Sequence, residues 1–183
     1  MGKAVVDQMG RSVSVRGNAQ RIISLVPSQT ELLYDLGLGE RVVGITKFCV
    51  HPESWFKTKH RIGGTKKVDF AKVRALKPDL IIGNKEENER HDIEALEREF
   101  PVWMSDVRDL TGALDMMERV GLLVSEPERA ADLSQRVVQS FDGLRPLQEP
   151  LTVAYFIWRA PFMAVSYTHL KAARTTSTWA ASK

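Results

Sequence analysis

The chain has 183 residues, 43% of them hydrophobic and 27% charged, which is the balance of an ordinary globular protein of one domain or slightly more. Its net charge of +3 comes from Lys and Arg scattered among nearly as many acids, without the basic stripe and interleaved aromatics of a nucleic-acid binder. The single cysteine, Cys49, excludes an internal disulfide, and no apolar stretch approaches the ~20 residues of a membrane span.

Residues 4–16, AVVDQMGRSVSVR, alternate loosely around Met9-Gly10 and predict a β-hairpin. A strand over 21–26 stops at Pro27, and a helix follows from about Thr30 to Asp35, with Ser28 or Gln29 near its start and Gly37 at its end. A second strand over 41–45 leads into a polar loop, TKFCVHPESWFKTKHRIGGTKK. A helix over 69–75 and a third strand over 79–84 come next. The segment KEENERHDIEALEREF is helical, with Ile93, Leu96 and Phe100 in a narrow apolar stripe ended by Pro101. Residues 102–106 form a fourth strand and 110–124 another amphipathic helix. Residues 125–144 place Ser125, Pro127 and Glu128 as a capping-box start to a long helix, and 151–158 form a fifth strand. From Ser166 the apolar periodicity vanishes, so residues 166–183 are expected to be a disordered or non-native tail, the sharper reading being that a second lobe was lost. The first residues lack an apolar leader core, so no secretory leader is expected in the chain as written.

Strands separated by helices predict an α/β fold with a mostly parallel sheet covered on both faces. Ligands of such sheets sit beyond the C-terminal strand ends, here the loops 27–30, 46–67, 84–88, 106–109 and 159–162. The turn Pro27-Ser28-Gln29-Thr30 either caps its helix or offers N–H and hydroxyl donors to an anion, and it lacks the glycines of a nucleotide loop. Should it face a ligand, Gln29 is the side chain expected to point out. Cys49-x-His51 has the residue types of a soft metal site, but four protein ligands are not in sight, and a lone Cys is more often a small buried hydrophobe. Lys47, Lys66 and Lys67 stand on the ligand edge, where they meet either an anionic ligand or solvent. Asn84, Lys85 and Asn88 are open to a binding role, while the nearby Glu86, Glu87 and Glu89 suit a helix N-terminus. Trp158 and Arg159 beside Pro161-Phe162 make a platform for a flat ligand, or else Trp158 belongs to the core.

The stretch RIISLVPSQTELLYDLGLGERVVGITKF, then IGGTKKVDFAKVRALKPDLIIGNK, then PVWMSD, resembles the cobalamin- and siderophore-binding proteins of ABC importers over about residues 4–165. The resemblance implies a parallel-sheet sandwich lobe with covering helices, an N-terminal β-hairpin and a long connecting helix. It divides the chain into an N-terminal ligand-binding lobe (1–124), a connecting helix (125–147), the start of a C-terminal lobe (148–165) and the tail (166–183). It implies a non-catalytic protein without an intrinsic cofactor or a metal site of its own. The bound ligand, a corrinoid, iron–siderophore or haem, brings any metal with it. The implied ligand-binding residues are Ser28, Gln29, Thr30, Phe48, His51, Thr65, Lys66, Lys67, Asn84, Lys85 and Phe162, to which the platform reading adds Arg159. Thr65-Lys66-Lys67 carries no Trp, which points away from cobalamin and towards a more anionic ligand. The family's permease-docking Glu is replaced by Ala71, with Asp69 nearby, which counts against docking to an ABC permease. A monomer is expected, in the periplasm or at the cell surface by resemblance and in the cytoplasm by the lack of a leader. Two other classes stay open: a metal- or tetrapyrrole-handling enzyme using Cys49 and His51, and an interaction fragment that binds no small molecule.

Overall fold

The structure is a computed structural model that describes residues 3–145, 149, 156–159 and 162–164. It forms two compact units, Met1–Val138 and Gln139–Lys183. The expected fifth strand lies partly, and the expected tail wholly, outside the described residues.

The first unit opens with the expected hairpin, β1 (Lys3–Val6) and β2 (Ser12–Val15), paired antiparallel. The chain then builds β3 (Ile22–Ser24), α1 (Pro27–Asp35), β4 (Val42–Ile45), α2 (Glu53–Thr58) and β5 (His60–Arg61). It continues through α3 (Phe70–Leu76), β6 (Leu80–Asn84), α4 (Arg90–Glu97), β7 (Val102–Ser105), α5 (Leu110–Val124) and α6 (Pro127–Asp142). The last helix crosses from one unit into the other.

Five of these strands make one parallel sheet in the order β5-β4-β3-β6-β7. Its central strands are apolar on both faces, as a doubly covered sheet requires. Along β3, Ile22 packs into one layer and Ile23 into the other; along β6, Leu80 and Ile82 oppose Ile81 in the same way. Leu33 of α1 and Leu36 at its C-cap, Val120 and Leu123 of α5 and Ala130 of α6 cover the first face together with Trp103. Val73 of α3 and Ile93 and Leu96 of α4 cover the second.

Two departures concern local structure. The loop over 46–67 holds a short helix, α2, and an edge strand, β5, that a two-residue pairing with β4 creates. Two residues carry too little periodicity to be read as a strand. The second is the capping box at Ser125. Ser125 has a left-handed backbone (φ 65°) and closes α5, while α6 starts at Pro127, so Ser125 is not in the extended geometry of an N-cap. In the second unit β8 (Phe156–Arg159) and β9 (Phe162–Ala164) pair antiparallel, so Arg159 and Phe162 face each other in register across a hairpin.

Candidate functional site

The chain fills the sheet outward from β3, first to β4 and β5 on one side and then to β6 and β7 on the other. The helix after β3 covers one face and the helix after β6 covers the other. The chain therefore leaves the C-terminal ends of β3 and β6 towards opposite faces, which makes this a topological switch point, and open α/β sheets bind ligands in the crevice between two such loops. Pro27-Ser28 leave β3 at this crevice, and Asn84-Lys85 leave β6.

Beneath the crevice lies a buried polar layer. Gln29 is 1% exposed, and its Nε2 donates to the Gly83 carbonyl at 2.9 Å and to Ser105 Oγ at 2.6 Å. Asn84 Nδ2 donates to the same Ser105 Oγ at 3.0 Å. Thr30 is also fully buried; its hydroxyl lies 2.8 Å from Ser24 Oγ, 2.9 Å from the Val26 carbonyl and 3.1 Å from Cys49 Sγ. The expectation that Gln29 points out is corrected: its amide ties three strand ends together. The capping expectation is corrected as well. Val26 is the N-cap without a side-chain bond, Pro27 opens the helix and exposed Ser28 sits in its first turn.

Around this layer stand the exposed residues. Phe48 is 52% exposed, with Lys47 Nζ 5.1 Å from its ring centre, and Val50 and His51 are exposed beside it. Lys66 and Lys67 are exposed at the tip of a tight turn, whereas Thr65 is buried in its shoulder. Lys85 is exposed and paired with Asp106 at 2.7 Å, and Arg108 reaches the same carboxylate at 3.2 Å. The hydrogen bond from Lys85, joined by that from Arg108, holds the Asp106 carboxyl below the usual carboxylate range. Asn84 is half-buried, and its Oδ1 accepts from the N–H groups of Glu86 and Glu87, so these two acids lie in a side-chain-closed turn ahead of α4 rather than at its first turn.

The structure thus gathers Ser28, Phe48, His51, Lys66, Lys67, Asn84 and Lys85 around one edge, places Gln29, Thr30 and Thr65 below it, and puts Arg159 and Phe162 in the second unit. Cys49 and His51 diverge. Cys49 is fully buried, with Thr46 Oγ1 3.2 Å and Thr30 Oγ1 3.1 Å from its sulfur, while His51 faces solvent. Among the described residues no three of His, Cys, Asp and Glu come together as a metal-binding group. Sequence reasoning missed Ser105, Asp92 and Asp106, which become relevant only when β7 and α4 lie beside β6; the strand-end position of Ser105 was the available signal. At α3, Asp69 is the N-cap; its carboxylate accepts from Lys72 N–H at 3.1 Å and lies 3.2 Å from Lys72 Nζ.

Residues 22–160 match the family described as periplasmic binding protein. A vitamin B12-binding protein of Yersinia pestis (strain Pestoides F) is 30% identical over 128 residues, covering 69% of this chain and 45% of the relative. The crystal structure of a periplasmic vitamin B12 binding protein of Vibrio cholerae aligns with a TM-score of 0.66 at 26% identity, over 79% of this chain and 58% of that one. A periplasmic heme binding protein from Pseudomonas aeruginosa aligns with a TM-score of 0.60 at 26% identity, over 68% and 46%. The chain spans about half the length of these relatives.

Proposed function

This chain belongs to the periplasmic binding protein family, and from that premise we propose that it is the N-terminal part of a substrate-binding protein for ABC-type import. Residues 1–124 are the ligand-binding lobe, 125–147 the connecting helix and 148–165 the beginning of a second lobe. The ligand is a bulky metal chelate, and the protein performs no chemistry on it. The observation that carries this reading is the exposed ring of Phe48, with Lys47 Nζ 5.1 Å from its centre, on the sheet edge where Ser28, His51, Lys66 and Lys85 are also exposed, above a polar layer in which Gln29 and Asn84 both donate to Ser105 Oγ. An aromatic face and a few rigid hydrogen-bonding groups are what a flat or rounded chelate needs. Arg159 and Phe162 belong to the proposal as ligand residues of the second unit. Permease docking through α3 does not, because Ala71 has no carboxylate and that of Asp69 is engaged by Lys72.

One lobe covers one side of a ligand, whereas tight sites enclose most of it. The expected Kd is therefore micromolar or weaker, each factor of ten being about 1.4 kcal/mol. Calorimetric titration of this chain with cyanocobalamin, haem and a ferric tris-hydroxamate tests the reading. Measurable heat and thermal stabilisation with at least one of them is expected; silence from all three at millimolar concentration overturns it.

A further inference from the structure

The ligand edge is electrically lopsided. On the β4–β5 side stand Lys47, Lys66 and Lys67, all exposed, and among the described residues no carboxylate lies within ion-pair distance of any of them. On the β6–β7 side Lys85 and Arg108 share Asp106, and Glu86 and Glu87 add two more negative charges. The first half presents ammonium groups without a paired acid, Lys47 beside the Phe48 ring, whereas on the second half three acids outnumber two cations.

The lysine-bearing turn is also built stiff. Lys47 N–H donates to the Gly63 carbonyl at 2.8 Å, Gly64 N–H to the Lys67 carbonyl at 2.9 Å, and Gly63 bridges Val68. Gly63 has φ +106°, and a Cβ there would lie 2.5 Å from the Lys67 carbonyl oxygen, so only glycine closes this turn without strain. Two buried residues from the α4 side hold its shoulders. Asn88 Nδ2 donates to the Thr65 carbonyl at 2.8 Å while its Oδ1 accepts from Asn84 N–H at 2.9 Å. Asp92 accepts from Val68 N–H at 3.1 Å. The turn is therefore tied to the end of β6, next to the crevice. Solvated surface lysines need no such framework. Cations waiting for a ligand benefit from it, because less ordering remains to be done on binding.

Resting on the chelate-binding reading above, we propose that this lobe selects a polyanionic chelate. Lys47, Lys66 and Lys67 receive its anionic oxygens beside Phe48, and Asn88 and Asp92 are positioning residues for the lysine turn.

Two ferric probes of similar size separate charge from shape: a neutral ferric tris-hydroxamate and a triply negative ferric tris-catecholate. Three exposed lysines, each acting with the modest strength of a surface ion pair, give the catecholate an advantage of about tenfold at low salt. That advantage shrinks towards unity in about 1 M salt, where the screening length falls to about 3 Å. The double variant Lys66→Ala/Lys67→Ala lowers catecholate affinity about fivefold and hydroxamate affinity by less, so the catecholate-to-hydroxamate ratio falls. Asn88→Ala lowers the catecholate-to-hydroxamate ratio although every lysine is still present, a result that general loosening of the fold would not give. Should thermal melting show Asn88→Ala to be unfolded, Asp92→Asn takes its place. Equal or tighter hydroxamate binding, or a ratio untouched by the double lysine variant, overturns the inference and leaves chelate binding standing. A folded positioning variant with the wild-type ratio overturns the role of Asn88 and Asp92. Absence of binding to both probes, and to cyanocobalamin and haem, overturns the chelate reading itself and this inference with it.

Discussion

Replacing Gln29 by Ala tests whether the turn after β3 is a structural keystone. The side chain is 1% exposed and donates two hydrogen bonds, to the Gly83 carbonyl and to Ser105 Oγ. Each such bond is worth about 1 kcal/mol net, so losing both costs about 2 kcal/mol. Removing its buried methylene adds about 0.8 kcal/mol. Part of this is offset, because Gln29 Oε1 has no hydrogen-bond partner in the native fold and its desolvation penalty, about 1 kcal/mol, disappears with the side chain. Gly83 O keeps a weak donor in Ser105 Oγ at 3.4 Å. The expected net loss is about 2 kcal/mol, or a fall in Tm of about 4–8 °C for a unit of this size. Ser28→Ala, one residue earlier, should change stability by less than about 0.5 kcal/mol, because Ser28 is exposed and caps nothing. Urea unfolding followed by tryptophan fluorescence measures both variants, Trp103 being fully buried on the neighbouring strand. A silent Gln29→Ala, or a Ser28→Ala that costs more than Gln29→Ala, would refute the reasoning.

Phe48→Ala should leave the melting temperature unchanged, since the ring is half in solvent, and should weaken binding of the chelate identified by calorimetry. Gly121→Leu should destabilise the first unit by about 1–3 kcal/mol in chemical denaturation, because even a Cβ at Gly121 meets Ala130 Cβ where α5 and α6 touch. Acid should weaken the fold through carboxyls whose affinity for protons the structure lowers. Asp106 is held down by its hydrogen bond from Lys85 and Glu99 by its hydrogen bond from Arg74. The unfolded chain takes up these protons first, so the contribution is present above the ordinary carboxylate range and is lost as pH falls below about 4. Lys85→Ala should therefore lower stability slightly at pH 7 and not at pH 2, measured by urea melts at both values.

The short continuous apolar runs of β3, β6 and β7 and the amphipathic spacing in α5 are local properties, so the order of strands and helices and their parallel arrangement were legible in the chain. The loops that would meet a ligand were legible for the same reason, because in a parallel α/β sheet they can only be those at the C-terminal strand ends. Which way each loop residue points was not legible, since that depends on partners far away in the chain. Gln29 reads as a polar turn residue until β7 lies close enough for Ser105, 76 positions later, to accept a hydrogen bond from its amide. Asn88 reads as a residue open to ligand binding, and Asp92 carries no signal of its own, until the turn at Thr65–Val68, 23 and 24 positions earlier, packs against them. Ser125 reads as an N-cap from its neighbours, yet the close approach of α5 and α6 makes it the residue that turns the chain. Periodicity records which face of an element is buried, whereas hydrogen bonding between distant elements depends on tertiary packing, and only that packing decided which polar residues of this edge were left for a ligand.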